Sequence, residues 1–282
     1  MSLTLDVFNS GYVPVNGGPG WESARAATWP ASTATLIAGE REAILVDALM
    51  TIEEGRQLAS WIGDSGKNLT NIVITHGHGD HFFGAGPVLA AFPEARLVAL
   101  NTAVVDEARM HVVDPIRQNW IEWFGDEFNH QAAVPQALGS ETLTVEEHPV
   151  HLIEVGGADG ALATVLHIPE LDTVCTGDAV YNNIHMWLWN STPESRHTWL
   201  STIDKIADMK PATIIAGHKD PDAADDNAAR QITQSRSYVE AFDRAIAELP
   251  SAGCVIDEMT KAFPGYGNPY TLFLAAHSQY QT

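Results

Sequence analysis

The sequence predicts a mixed α/β (α+β) chain in which two β-rich halves pack sheet on sheet with helices outside. Three observations predict it. Apolar β-type runs bounded by Gly and Pro clusters recur in both halves. Each half runs strands first and then alternates helix with strand. No short repeat or low-complexity linker interrupts the 282 residues.

The elements follow in order. Leu3 to Phe8 alternates like a strand, and Gly17-Gly18-Pro19-Gly20 then breaks the chain. Thr33 to Ala38 and Ala43 to Val46 are β-type runs joined by Gly39-Glu40-Arg41-Glu42, a hairpin signal. Thr51 to Ile62 suits an amphipathic helix, with Ile52, Leu58 and Ile62 apolar and Glu53, Glu54 and Arg56 charged. Asn71 to Thr75 is a buried-strand pattern that runs into a histidine-rich loop. Pro87 to Phe92 reads as a short helix and Arg96 to Leu100 as the next strand. The segment at about 101–128 reads as helical, anchored by Val104, Met110, Ile116, Trp120, Trp123 and Phe124. Strands are expected again at Thr142–Val145, Val150–Val155, Ala163–Ile168 and Thr173–Cys175. Helices at Arg196–Met209 and Asp225–Leu249 flank a strand at Ala212–Ala216, and an extension at about 253–282 closes the chain. The whole, 1–282, is expected to be a single domain.

The charge narrows the function. With 15 Lys and Arg against 36 Asp and Glu, the formal net charge is −21. Nucleic acid and anionic lipid both call for clustered cations, so neither is an expected partner. Hydrophobic residues at 45% suit a chain that buries a core. The start of the chain lacks a basic n-region and an apolar h-region, and no apolar run is long enough to span a bilayer. A cytoplasmic setting is therefore expected. Cys175 and Cys254 are too few for a disulfide framework or a thiolate zinc site. No Gly-x-Ser-x-Gly elbow, phosphate-binding loop or dinucleotide fingerprint is present.

What the sequence does contain is Thr75-His76-Gly77-His78-Gly79-Asp80-His81, three imidazoles and a carboxylate at the end of an apolar strand. His76 and His78, two residues apart, can point to one side and hold one metal, while Asp80 and His81 face a second. Imidazole with carboxylate suits Zn²⁺, and also Fe or Mn, better than Ca²⁺ or Mg²⁺. Two more strands end in candidate ligands, Asp178 in Thr176-Gly177-Asp178 and His218 in Ala216-Gly217-His218.

These motifs resemble those of the metallo-β-lactamase superfamily over nearly the whole chain. The match runs from Leu45-Val46-Asp47 through the His76–His81 loop to Gly177-Asp178 and Gly217-His218. The resemblance implies a four-layer αββα sandwich with a dinuclear site between the sheet edges. It assigns His76 and His78, with a mid-chain His, to a first metal, and Asp80, His81 and His218 to a second. Asp178 would bridge, and Asp47 would orient the loop. One departure matters. Where the family places Gly-His-Thr-Asp, this chain has Gly156-Gly157-Ala158-Asp159, so the mid-chain ligand is registered at Gly157. Three readings stay open: a weakened first site with one ion held firmly; a substitute ligand from among His151, Asp159 and His185; or loss of metal chemistry.

The resemblance implies a metal-dependent hydrolase that binds one or two Zn²⁺, with Fe or Mn as options. A metal-bound water would attack the substrate, and Asp80 would also shuttle a proton as a catalytic residue. With polyanions disfavoured, the expected substrates are small neutral or apolar lactones, lactams, amides or esters. The alternative is a metal-poor, non-catalytic binding protein on the same fold. Phe82, Tyr181, His185 and Trp187 are candidates for the substrate pocket, with Trp189 on the same loop as Trp187. Trp120, Trp123 and Phe124 read as core rather than lid. His111, His130, His148, His197 and His277 read as solvated or satisfied by a neighbour, and His167 as a hydrogen-bonded strand residue. The oligomeric state is open, a homodimer included.

Overall fold

A computed structural model describes residues 2–21, 26–129 and 132–280. His130 lies outside them. The first sheet is built from β1 (Thr4–Asn9), β4 (Thr33–Ala38), β5 (Glu42–Val46), β6 (Asn68–Val73), β7 (Arg96–Ala99) and the short β8 (Gln136–Ala137), in that spatial order. β1, β4 and β5 are antiparallel neighbours, and β5 through β8 run parallel. The two-residue strands β2 (Val13–Pro14) and β3 (Thr28–Trp29) form a separate antiparallel pair. The second sheet has the order β13 (Thr213–Ala216), β12 (Thr173–Gly177), β11 (Ala163–Ile168), β10 (His148–Gly156) and β9 (Thr142–Val145).

Period-two alternation decides which residues meet which layer. In β4, Ala34, Leu36 and Ala38 face outward to the helices, and Ile37 faces the opposite sheet. In β12, Val174 faces the helices, and Cys175 is buried between the sheets beside Ile215 and Leu166. The inter-sheet core also takes Ile44, Val46, Val73 and Val98 from one side and Val150, Leu152 and Ile168 from the other. Outside the first sheet lie α1 (Ile52–Asp64), α2 (Ala85–Ala91) and α3 (Thr102–His111); outside the second lie α5 (Pro193–Asp208), α6 (Ala228–Glu248) and α7 (Ala252–Ala262). The layers therefore run helix, sheet, sheet, helix, as expected.

One segment differs from expectation. The segment read as helical over about 101–128 is two helices, α3 and α4 (Ile116–Phe124), because Pro115 lacks an N–H and starts a new helix. The C-terminal extension packs α8 (Pro269–Ser278) against α7 and β3, with Leu272, Ala275 and Ala276 in the second helical core. Among the described residues, no helix is long and apolar enough to cross a membrane.

Strand ends fix the position of the site. β6 runs into the His76–His81 loop, β10 and β11 are joined by the turn that carries Asp159, and β12 and β13 end at Asp178 and His218. The two sheets are tied at that rim: the Thr164 N–H donates to the Thr75 carbonyl at 2.9 Å, and the Thr33 N–H to the Gly217 carbonyl at 2.8 Å. Gly177 sits at φ +49°, and a Cβ there would lie 2.4 Å from Thr75 Oγ1. Only glycine lets the two sheet edges approach so closely.

Candidate metal centre

Three of the histidines, His76, His81 and His218, are each oriented by a partner on the far side. His81 Nδ1 lies 2.9 Å from Asp47 Oδ2, which leaves Nε2 facing Asp178 Oδ1 at 3.3 Å and Asp80 Oδ2 at 3.8 Å. His218 Nδ1 lies 3.2 Å from Ser32 Oγ, and its Nε2 is 3.2 Å from both Asp80 Oδ2 and Asp178 Oδ2. His76 Nδ1 is 3.2 Å from Thr75 Oγ1. Asp47 also accepts from the Thr75 N–H at 2.8 Å and from its hydroxyl at 2.9 Å, so one carboxylate sets both the strand end and His81.

Asp159 completes the other side. Its Oδ2 is 2.9 Å from His78 Nδ1 and 3.5 Å from His76 Nε2, and its side chain is buried. Three groups of potential ligand atoms result: His76, His78 and Asp159; Asp80, His81 and His218; and His76, His81 and Asp178 across the middle. Asp178 thus stands between the outer two. Gly157 takes no part through a side chain; its carbonyl accepts from Thr202 Oγ1 at 2.8 Å.

The donor set fits a transition-metal centre. His76 Nε2, His81 Nε2 and Asp178 Oδ1 are buried without a hydrogen-bond partner, and all three belong to these groups. Orphaned buried polar atoms are costly unless something satisfies them. The electrostatics agree. Burial opposes the charged form of His218, yet Asp178 and Asp80 lift its pKa to about 10. Burial likewise opposes charging at His78, yet Asp159 lifts it to about 9. Burial works against ionisation at Asp178 and Asp80 too, but the neighbouring imidazoles, His218 and His81 foremost, hold Asp178 down to about 2 and Asp80 lower still. The pocket is built to hold positive charge, as protons or as metal. Imidazole nitrogen with carboxylate oxygen is the donor chemistry of Zn²⁺, Fe or Mn.

The matched family model is the metallo-β-lactamase superfamily, over residues 27–218. The chain belongs to that superfamily. Solved superfamily structures share the fold at low identity. A metallo-β-lactamase family protein from Thermus thermophilus is 19% identical with a TM-score of 0.61, over 99% of this chain and 92% of that one. The mono-zinc form of the metallo-β-lactamase FIM-1 from Pseudomonas aeruginosa is 16% identical with a TM-score of 0.59, over 89% and 98%. A metallo-β-lactamase from Pontibacter korlensis is 14% identical with a TM-score of 0.58, over 85% and 99%. No curated protein sequence matches the chain.

Above the metal-ligand groups this superfamily member opens a cavity of about 350 Å³, walled by Trp29, Trp120, Trp123, Trp187 and Trp189 and floored by His78, Asp80, Asp159, Asp178 and His218. The tryptophans pack on one another with ring centroids 5.0 to 6.0 Å apart, so the wall is continuous. Trp29 does more than wall: its indole N–H donates to Asp80 Oδ2 at 2.9 Å.

The other pocket candidates lie elsewhere. Trp187 lines the cavity, but Phe82 does not; the tight turn at Gly79–His81 folds it back into the first helical core, against Phe83 at 4.7 Å. His185 is drawn into the second core, where its backbone N–H donates to the Gly267 carbonyl and its ring Nδ1 lies 2.9 Å from the Tyr238 hydroxyl. That geometry also removes His185 as a substitute ligand. His151 is removed as well, since it pairs with Thr142 on the second sheet. Tyr181 is buried beneath the centre, and its hydroxyl donates to Asp178 Oδ2 at 2.5 Å instead of facing the cavity. Trp120 and Trp123, read as core, pack with the first core and line the cavity at once. His111, read as bland, lines it too. Trp29 carries no local motif; the β2–β3 pair and the backbone bridge between Ser32 and His218 bring it over the ligands.

Proposed function

We propose that the protein is a metal-dependent hydrolase of a small neutral or apolar ester, lactone, lactam or amide. One observation carries the reading: a buried His and Asp cluster with orphaned ligand atoms forms the floor of a tryptophan-walled cavity. The orphaned atoms disfavour a metal-poor binding protein, in which they would stay unsatisfied. His76, His78 and Asp159 would hold one ion, Asp80, His81 and His218 a second, with Asp178 between them. A divalent ion there supplies a Lewis acid and lowers the pKa of a water it holds.

The chain's own residues supply the rest. Asp80, fixed by Trp29, would take the proton of the attacking water and return it to the leaving group. Asp47 and Ser32 keep His81 and His218 in the tautomers that turn Nε2 inward. The tryptophan wall excludes water and takes the apolar part of the substrate. Among the described residues lining the cavity none is Lys or Arg, so a carboxylate or phosphate on the substrate would find no partner there. The net charge of −21 acts in the same direction.

The test is metal analysis of the purified protein joined to a panel of lactones, esters and amides with added Zn²⁺, Mn²⁺ or Fe²⁺. Hydrolysis that disappears as metal content falls in His81→Ala and His218→Ala supports the reading. No bound transition metal and no turnover under any addition contradicts it.

A further inference from the structure

We infer that His111 is a further catalytic residue, a neutral hydrogen-bond donor to the carbonyl oxygen of the substrate. The inference rests on the hydrolase reading above but on different residues. His111 ends α3, is buried to 9% exposure, and lines the cavity with its ring centroid 4.9 Å from that of His78. It belongs to none of the three ligand groups.

Its tautomer is set from behind. The Trp120 indole N–H donates to His111 Nδ1 at 3.1 Å. An indole nitrogen can only donate, so Nδ1 must carry the lone pair and the ring proton must sit on Nε2. Among the described residues, no protein acceptor takes that Nε2–H. A buried ring lining a cavity, with one nitrogen pinned and the other N–H unused, is a donor kept for a ligand. Two tryptophan N–H donors of the wall are already committed, that of Trp29 to Asp80 and that of Trp120 to His111 itself. Asn119 and Asn190 also line the cavity, but they are less buried than His111.

The role follows from where charge develops. When water adds to a carbonyl carbon, the carbonyl oxygen gains negative charge, and a fixed donor stabilises it more than it stabilises the neutral substrate. His111 transfers no proton in this step; it holds the oxygen while the electron pair resides there. Trp120 is the positioning residue, since without its N–H the ring can place its hydrogen on either nitrogen.

The experiment compares wild type, His111→Phe, His111→Gln and Trp120→Phe as metal-loaded proteins, with metal content measured in each. Phenyl acetate and δ-valerolactone are the substrates. His111→Phe is expected to lower kcat by about 100-fold with KM and metal content little changed. His111→Gln keeps an N–H near the Nε2 position and should rescue most of that loss; Trp120→Phe should show a smaller loss in kcat. Undiminished kcat in His111→Phe, or an equal loss in His111→Gln, overturns the inference.

If the wild type turns over neither substrate, the hydrolase reading fails on its own account. The inference is then decided by ¹⁵N spectra of the His111 ring with phenylacetamide as probe. An Nε2–H tautomer whose signal moves on titration supports it; an Nδ1–H tautomer or an unmoved signal overturns it.

Discussion

The Trp29 indole N–H donates to Asp80 Oδ2 at 2.9 Å, which ties the aromatic wall of the cavity to a residue of the metal-ligand set. The same oxygen faces His218 Nε2 at 3.2 Å. The indole therefore fixes the Asp80 rotamer while its ring presses on Trp120, Trp123 and Trp187. The cavity wall and the carboxylate position are coupled through one side chain.

Trp29→Phe keeps an aromatic ring and removes the donor. It is expected to weaken metal binding by about 10-fold, the low end for loss of an outer hydrogen bond to a ligand. Competition with a chelator reads this directly. Affinity equal to wild type would show that Asp80 needs no such anchor.

The wall itself is tested by truncation. Trp123 is half-buried, lines the cavity, and touches Trp29, Trp120, Trp187 and Trp189. Trp123→Ala is expected to raise KM for phenyl esters by about 10-fold while leaving KM for methyl acetate within about 2-fold, because only the larger group loses apolar contact. Equal effects on both esters would assign Trp123 to folding alone.

His185 gives a pH dependence away from the metal centre. Burial pushes its pKa down to about 4, below the ordinary histidine value of about 6.5. Between these values the unfolded chain binds the proton and the folded chain does not, so stability is fully present above pH 6.5 and falls as pH drops towards 4. The full window is worth about 3 kcal/mol. His185→Asn offers Tyr238 a partner that does not titrate. In metal-free protein, urea unfolding of the wild type should lose that much more stability than the variant between pH 7 and pH 4. Parallel losses in both proteins would refute the assignment.

The layer order and most elements were legible because periodicity reports burial. Thr33–Ala38, Thr142–Val145 and Ala163–Ile168 appear in the structure with the bounds their patterns predict. The His76–His81 loop was legible because ligand chemistry there is compressed into six residues of sequence. Asp159 was legible only as one of three substitutes, since its value depends on how the turn after β10 folds back towards His78. The tryptophan wall was less so. Its members come from residue 29, from α4 and from the loop after Asp178, and helical spacing made Trp120 and Trp123 look like plain core. They are core on one face and cavity on the other, a distinction that period alone does not carry. Phe82 and His185 were misplaced for the opposite reason: nearness in sequence to a ligand does not decide which way a turn directs the side chain.

The central claim is a two-ion centre in which Asp159 completes the site of His76 and His78. Metal stoichiometry tests it most directly, by elemental analysis of wild type, Asp159→Ala and His218→Ala after loading with Zn²⁺ and desalting. The account predicts about two ions per chain in the wild type and about one in each variant, as expected when one ligand set of three is broken. Two ions retained in Asp159→Ala, or none bound by the wild type, would contradict it.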